Sequence, residues 1–334
     1  MYNFKEIKIN DITEDKFNNF NDKLIFQTKE WINFILKTQK VTLILLEIYD
    51  GESFIGYFTG FLFIKFGIKI VGSPFKGWTT SYMGFNICDD IIVDRAELIF
   101  PLWAYLKKNY KCSYFEMVDR FITIEDMKKY NIRYELQESL GINLTYDVDS
   151  VFSKFTKHCR KHIKQFENRG ATVVSVAPND EFAELYYSQL LKVFKYQKLS
   201  PSYDLDRVKI MLNELANKHM LLCLKVLSPN GECIATSISF AFNGKCYSWG
   251  STSVREGKDY LQSEGIRWYM MKHWISLNQF DYDMVGVREY KFKFNPFYIK
   301  VPRIIMTTFR PLIWGRNLAK KFYWLINKMK NIGK

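Results

Sequence analysis

No stretch of the chain reaches the roughly 18 uncharged apolar residues that a membrane-spanning helix needs. The most apolar segment, 54–72, is broken by Lys65, Lys69 and four glycines. The first ten residues, MYNFKEIKIN, lack the apolar core of a secretory signal. The expected location is therefore cytoplasmic, either soluble or peripheral at the inner face of the plasma membrane. The six cysteines stand apart without a CxxC pair. That excludes a zinc ribbon or a disulfide scaffold and suits a reducing compartment. Of the four histidines, His158 and His162 have the spacing of helical metal ligands. Cys159, Arg160 and Lys161 lie between them with no glutamate, so no metal is expected. Neither a Ser-His-Asp nor a Cys-His arrangement is recognisable, so a covalent intermediate on the enzyme is not expected. Low-complexity linkers are lacking too.

Acid is scarce in two places. Of 334 residues, 48 are Lys or Arg and 35 are Asp or Glu, for a net charge of +13. Residues 301–334 hold eight cations and no acid. Residues 154–169 hold six cations and one acid, Glu167. These segments account for the whole excess. The rest of the chain is neutral overall, and with 48% apolar and 17% aromatic residues it can bury a substantial core.

Periodicity predicts helices over 27–38, 95–109, 152–168, 180–198, 204–218 and 260–277. It predicts strands in VTLILLEIYD and SFIGYFTGFLFI, joined at Asp50-Gly51, and in IKIVG, KCSYFEMVD and YELQES. In the second half, ATVVSVA, MLLCLKVLS, ECIATSISFAF, KCYSWGSTS and FDYDMVG read as strands. The order of helix, antiparallel strands, helix and strand occurs twice. The expected architecture is two similar α/β units, 1–148 and 149–304, followed by a basic segment, 305–334.

Both basic segments are amphipathic. In 152–168, Phe152, Phe155, Cys159, Ile163 and Phe166 form one face, while Lys157, Arg160, Lys161 and Lys164 form the other. With one acid among them, these cations repel unless an anionic partner relieves them. In the tail, Ile313, Trp314, Leu318, Phe322, Leu325, Ile326 and Met329 oppose Arg316, Lys320, Lys321, Lys328 and Lys330. Aromatic and apolar residues opposite unrelieved cations mark a helix lying on an anionic membrane surface, here through 312–334.

A strand carrying Asp281 and Asp283 ends at Gly286. It is followed by Glu289, Tyr290, Lys291, Lys293 and Phe294. This strand-Asp-Gly-loop with Tyr290-Lys291-x-x-Phe294 resembles the ending of the Fem-type peptidoglycan aminoacyltransferases and the GNAT-like acetyltransferases of polysaccharide biosynthesis. SKFTKHCRKHIKQFENRGATV, YLQSEGIRWYMMKHW and GSPFKGWTTSYMG resemble further segments of that group in the same order, over roughly residues 25–300. The resemblance implies an α/β (α+β) fold of tandem GNAT-like domains, with mixed, largely antiparallel sheets flanked by helices. It departs from the group at Ser81, where an acid often precedes the tyrosine. It departs again at Arg267, where the (Gln/Arg)-x-x-Gly-x-(Gly/Ala) phosphate loop begun by Gln262 and Gly265 needs a small residue.

The resemblance implies acyl transfer to an amine by direct attack. Lys291 would bind a phosphate or stabilise the carbonyl oxygen, and Asp283 and Glu289 are the candidate bases or partners of Lys291. Tyr260, Gln262, Lys293 and Tyr82 would contact substrates, and Arg160 and Lys161 would hold a phosphate. The donor would be acetyl-CoA or another acyl-CoA, and the acceptor an anionic amino-sugar or lipid-linked precursor of surface polysaccharide or cell wall. An alternative donor is aminoacyl-tRNA, although the helices within 180–218 are too short for a clear tRNA arm. A third possibility is a non-catalytic membrane-surface protein on a degenerate acyltransferase fold. Removal of 312–334 should lower co-sedimentation with anionic vesicles at least tenfold, since each basic residue near such a surface contributes about 1 kcal/mol. Unchanged co-sedimentation would exclude the membrane role.

Overall fold

The computed structural model describes residues 2–309 apart from 66, 146, 217 and 218. The amphipathic tail over 312–334 lies outside the described residues. The chain forms two units, Met1–Gln137 with Lys300–Lys334, and Glu138–Ile299. Among the described residues, no helix is long and apolar enough to cross a membrane.

The first unit contains β1 (Tyr2–Glu6), α1 (Glu14–Asn18), α2 (Lys29–Thr38), β2 (Thr42–Asp50), β3 (Ser53–Lys65), β4 (Ile68–Ser73), β5 (Gly84–Ile87), α3 (Ile99–Tyr110), β6 (Tyr114–Met117) and α4 (Ile124–Lys129). Local chemistry sets these boundaries. The Thr28 hydroxyl accepts the Trp31 N–H and starts α2, whose Trp31, Ile32 and Ile35 are buried. Gly51 takes φ +59 and lets β2 turn into β3. The strand order is β1-β2-β3-β4-β6, with β5 on β3, and β4 and β6 run parallel while these other neighbours run antiparallel.

β7 (Tyr134–Asn143) leads into the second unit. There follow α5 (Val148–Lys154), α6 (Lys157–Asn168), β8 (Thr172–Val176), α7 (Asp180–Tyr196), α8 (Leu205–Leu215), β9 (Leu221–Leu227), β10 (Cys233–Phe242), β11 (Lys245–Ser253), α9 (Gln262–Ser276) and β12 (Asp281–Asp283). β13 (Phe297–Thr307) carries the chain back to the first unit. The second sheet has the order β7-β12-β11-β10-β9-β8, and again one pair, β11 and β12, is parallel. The expected repeat is thus present, one parallel pair within an otherwise antiparallel sheet in each half.

The units divide elsewhere than at 148 and 304. Gly141 to Asn143 of β7 pair with β12, which places them in the second unit. Ile304 to Thr307 of β13 pair with β6, which places them in the first. The second unit is therefore an insertion in the first, a strand exchange that local periodicity does not report.

One other expectation changes. The basic helix of 152–168 is two helices, because Phe155 is extended and the Thr156 hydroxyl accepts the Cys159 N–H to start α6 afresh. Glu289–Phe294 is a 3-10 turn that buries Lys291 and Phe294, three residues apart as that turn requires.

The second core is built on α6 and α9. Cys159, Ile163 and Phe166 of α6 face the helix that carries Ile266, Met270 and Trp274. Trp268 packs against Phe152 and Phe155, with ring centroids 5.3 and 5.4 Å away. The two helices come together because Gly265 has no side chain: a Cβ there would lie 2.5 Å from the Phe166 ring. Gly265→Ala should therefore destabilise the protein by about 1–3 kcal/mol, measured by urea unfolding, as overpacked cores do. A neutral effect would show that α6 and α9 are free to separate.

Candidate active site

The two parallel pairs differ. In the first unit, β4 and β6 pair from Ile70 with Tyr114 to Ser73 with Met117, and the pairing continues through the Val118 N–H on the Ser73 carbonyl. In the second, β11 and β12 pair only from Lys245 with Asp281 to Tyr247 with Asp283. Beyond Tyr247, β11 runs on to Ser253 with β10 on one side and no strand on the other among the described residues. Its ladder with β10 is interrupted between Ile238 and Ser239, where Trp249 is the extra residue. Gly250 permits this, since a Cβ there would meet the Tyr186 hydroxyl. The result is an opening in the sheet whose β11 edge presents backbone groups.

Each end of the opening carries a strained turn. Asp283 ends β12, its carboxylate accepting the Ser139 hydroxyl and, at 2.7 Å, the Val285 N–H. Val285 then adopts φ +56, an outlier for a β-branched residue, and Gly286 follows at φ +79. Lys291 holds this turn. Its ammonium donates to the carbonyls of Met284, Val285 and Gly286 at 2.8, 2.8 and 3.0 Å, which uses all three of its protons. At the far end, Leu261 takes φ +58 and α9 begins without a side-chain cap. Ser263 donates to Ser253 at 3.1 Å and Gln262 to the Val254 carbonyl at 2.9 Å, which fixes the start of α9 to the end of β11.

Lys291 is 4% exposed. Burial first, then the Arg267 and Arg288 charges, pull its pKa down to about 7, against the nearby Asp283. Arg267, one turn into α9, is buried between the Tyr290 and Phe294 rings, 5.4 and 5.8 Å from their centroids. Glu264 accepts from His162 Nδ1 at 2.8 Å and from Lys293 Nζ at 2.6 Å. Burial alone would raise the Glu264 pKa, but these two hydrogen bonds outweigh it and the carboxyl titrates low. The contact fixes the orientation of the His162 ring. Cys159 is an unsuitable nucleophile, because burial pushes its thiol up to about 12.

Lys291, Asp283 and Lys293 thus come together around the opening, although Lys291 and Asp283 first shape a turn. The remaining expected residues stand elsewhere or have other work. Glu289 is exposed, with no hydrogen bond or ion pair among the described residues, and is not set as a base. Gln262 is buried and engaged with Val254, where a substrate contact was expected. Tyr260 is half-buried against the core. Arg160 donates to the carbonyls of Ser153 and Phe155, stapling α5 to α6, whereas Lys161 remains exposed. Tyr82 is 1% exposed, packed near Phe26 in the first unit, and has no surface to offer a substrate. Sequence reasoning missed Glu264, His162 and Ser139 and took Arg267 as a flaw in a loop. One signal was available: Glu264 and Arg267 are the charged residues in an otherwise uncharged run, 261–271.

Residues 153–293 match the family model described as acetyltransferase (GNAT) domain. Among solved structures, FemX is similar over 93% of this chain and 98% of its own, at 11% identity and a TM-score of 0.70. L-PGS from Bacillus licheniformis matches over 88% of this chain and 95% of its own, at 12% identity and a TM-score of 0.53. A tandem GNAT protein from the clavulanic acid biosynthesis pathway matches over 92% and 98%, at 8% identity and a TM-score of 0.51. No curated protein matches the sequence. At these identities the structures speak to fold. The chain thus has the fold of FemX, and its residues 153–293 match a GNAT acetyltransferase domain.

Proposed function

We propose that the protein transfers an acyl group from an acyl-CoA, acetyl-CoA first among them, to the amine of an amino-sugar or lipid-linked precursor of bacterial surface polysaccharide or cell wall. The observation that carries this reading is the open β11 edge, which runs from the clamped end of β12 to the uncapped start of α9. Backbone N–H groups on that edge suit a carbonyl oxygen that gains negative charge as the amine attacks. The first N–H groups of α9 suit a phosphate of the donor. The amine nitrogen bonds to the acyl carbon, the carbon–sulfur bond breaks, and the thiolate leaves with a proton as the amine loses one. Direct attack accords with the inert Cys159. The tail would keep the protein at an anionic membrane surface, where a lipid-linked acceptor resides.

Thermal unfolding with acetyl-CoA, longer acyl-CoAs and aminoacyl-tRNA in parallel tests the donor. An acyl-CoA at about 100 times its Kd should stabilise the protein by about 2.7 kcal/mol. No shift at millimolar acyl-CoA, with stabilisation by and transfer from a charged tRNA, would replace this donor with aminoacyl-tRNA.

Lys291 predicts a pH dependence. Its folded pKa of about 7 lies below the ordinary 10.5, so between these values the unfolded chain binds the proton that the folded protein has released. The Lys291 contribution to stability therefore rises from pH 7 to about 10.5. Lys291→Met should remove that rise, seen as a shallower climb of the urea midpoint over the same range than in the wild type. Parallel profiles for the two proteins would show that the Lys291 ammonium is not destabilised by burial.

A further inference from the structure

Arg267 is 5% exposed, and its Nε and Nη1 have no hydrogen-bond partner among the described residues. The rings of Tyr290 and Phe294 offer it π-faces rather than a carboxylate. The two nearby carboxylates are already engaged. Glu264 holds His162 and Lys293, and Asp283 holds Ser139 and the Val285 N–H. Lys291, the other buried cation here, adds repulsion. Other arginines of this protein are treated differently. Arg303, 4% exposed, has Glu116 at 3.3 Å, and Arg95 bridges Asp22 and Asp119. A buried guanidinium without an anion is unfavourable unless something supplies one.

We propose that Arg267 binds an oxyanion on the substrate, a carboxylate or phosphate group seated beside Lys291, and so selects anionic substrates for this site. A guanidinium offers a planar fork of donors suited to either group. The position strengthens the case. Arg267 stands where the phosphate loop of related acetyltransferases needs a small residue, so the same place here gains a fixed positive charge in exchange for open space. The inference deepens the acyl-transfer reading by naming a substrate property, and it is tested by binding alone.

The full chain and its Arg267→Met and Arg267→Lys variants are unfolded thermally in sodium chloride, sodium phosphate and sodium acetate at matched ionic strength. In chloride, Arg267→Met should melt above the wild type, because it no longer buries an unpaired charge. Phosphate or acetate should raise the wild-type Tm by roughly 3 °C over chloride, Arg267→Lys by less, and Arg267→Met not at all. A response to phosphate alone assigns a phosphate ligand, and a response to acetate assigns a carboxylate. No oxyanion gain in the wild type, or an equal gain in wild type and Arg267→Met, overturns the proposal. Should the Met variant not fold, the Lys variant decides, and a gain equal to the wild type's overturns it. If neither acyl-CoA nor charged tRNA binds while the Arg267-dependent anion response persists, acyl transfer falls and the anion site stands.

Discussion

The second unit is organised around a parallel strand pair that stops after three residues. β11 and β12 meet from Lys245 to Tyr247 and then separate. Three features keep them apart. Trp249 bulges β11 away from regular pairing, Asp283 terminates β12 by capping Val285, and the left-handed Val285 turns the chain aside. A β-branched residue at positive φ does not persist without support. Lys291 supplies that support by binding three successive carbonyls of the turn. The first unit shows the alternative, with its parallel pair hydrogen-bonded onward past Ser73.

The charges near the opening follow from this geometry. Folding brings Arg267, Lys291, Lys293 and His162 toward one region with few carboxylates. Glu264 neutralises part of that field and Asp283 part of the rest. Several cations that looked free in the sequence have structural tasks. Arg160 joins two helices, and Lys291 keeps a strained turn in place. The exposed Lys157, Lys161 and Lys164 on α6 remain as the outward basic face. Within 154–169 the positive charge thus divides between the Arg160 staple and an exposed face of lysines.

Much of the fold was legible because its elements carry strong periodic signals. The β2–β3 hairpin, the β9–β10–β11 meander, and helices α2, α3, α7, α8 and α9 lie within a few residues of where alternation, turn residues and apolar spacing put them. The break at Phe155–Thr156 was harder to see, because the apolar spacing continues across it and only the Thr156 cap interrupts the helix. The site was legible in part. Asp283, Lys291 and Lys293 were found through a motif at a strand end. Glu264 and His162 were missed because they are 102 residues apart in the chain and meet only through the packing of α6 on α9.

By itself, the sequence determined the class of the fold, its internal repetition, and the placement of its positive charge, because these depend on local spacing and composition. The tertiary structure decided which halves own β7 and β13, since strand exchange is a matter of long-range pairing. It also decided which charges have partners. An arginine in a helix reads the same whether its guanidinium meets water, a carboxylate or two aromatic rings. Only the packing of α9 against the Glu289–Phe294 turn leaves Arg267 buried without an acid.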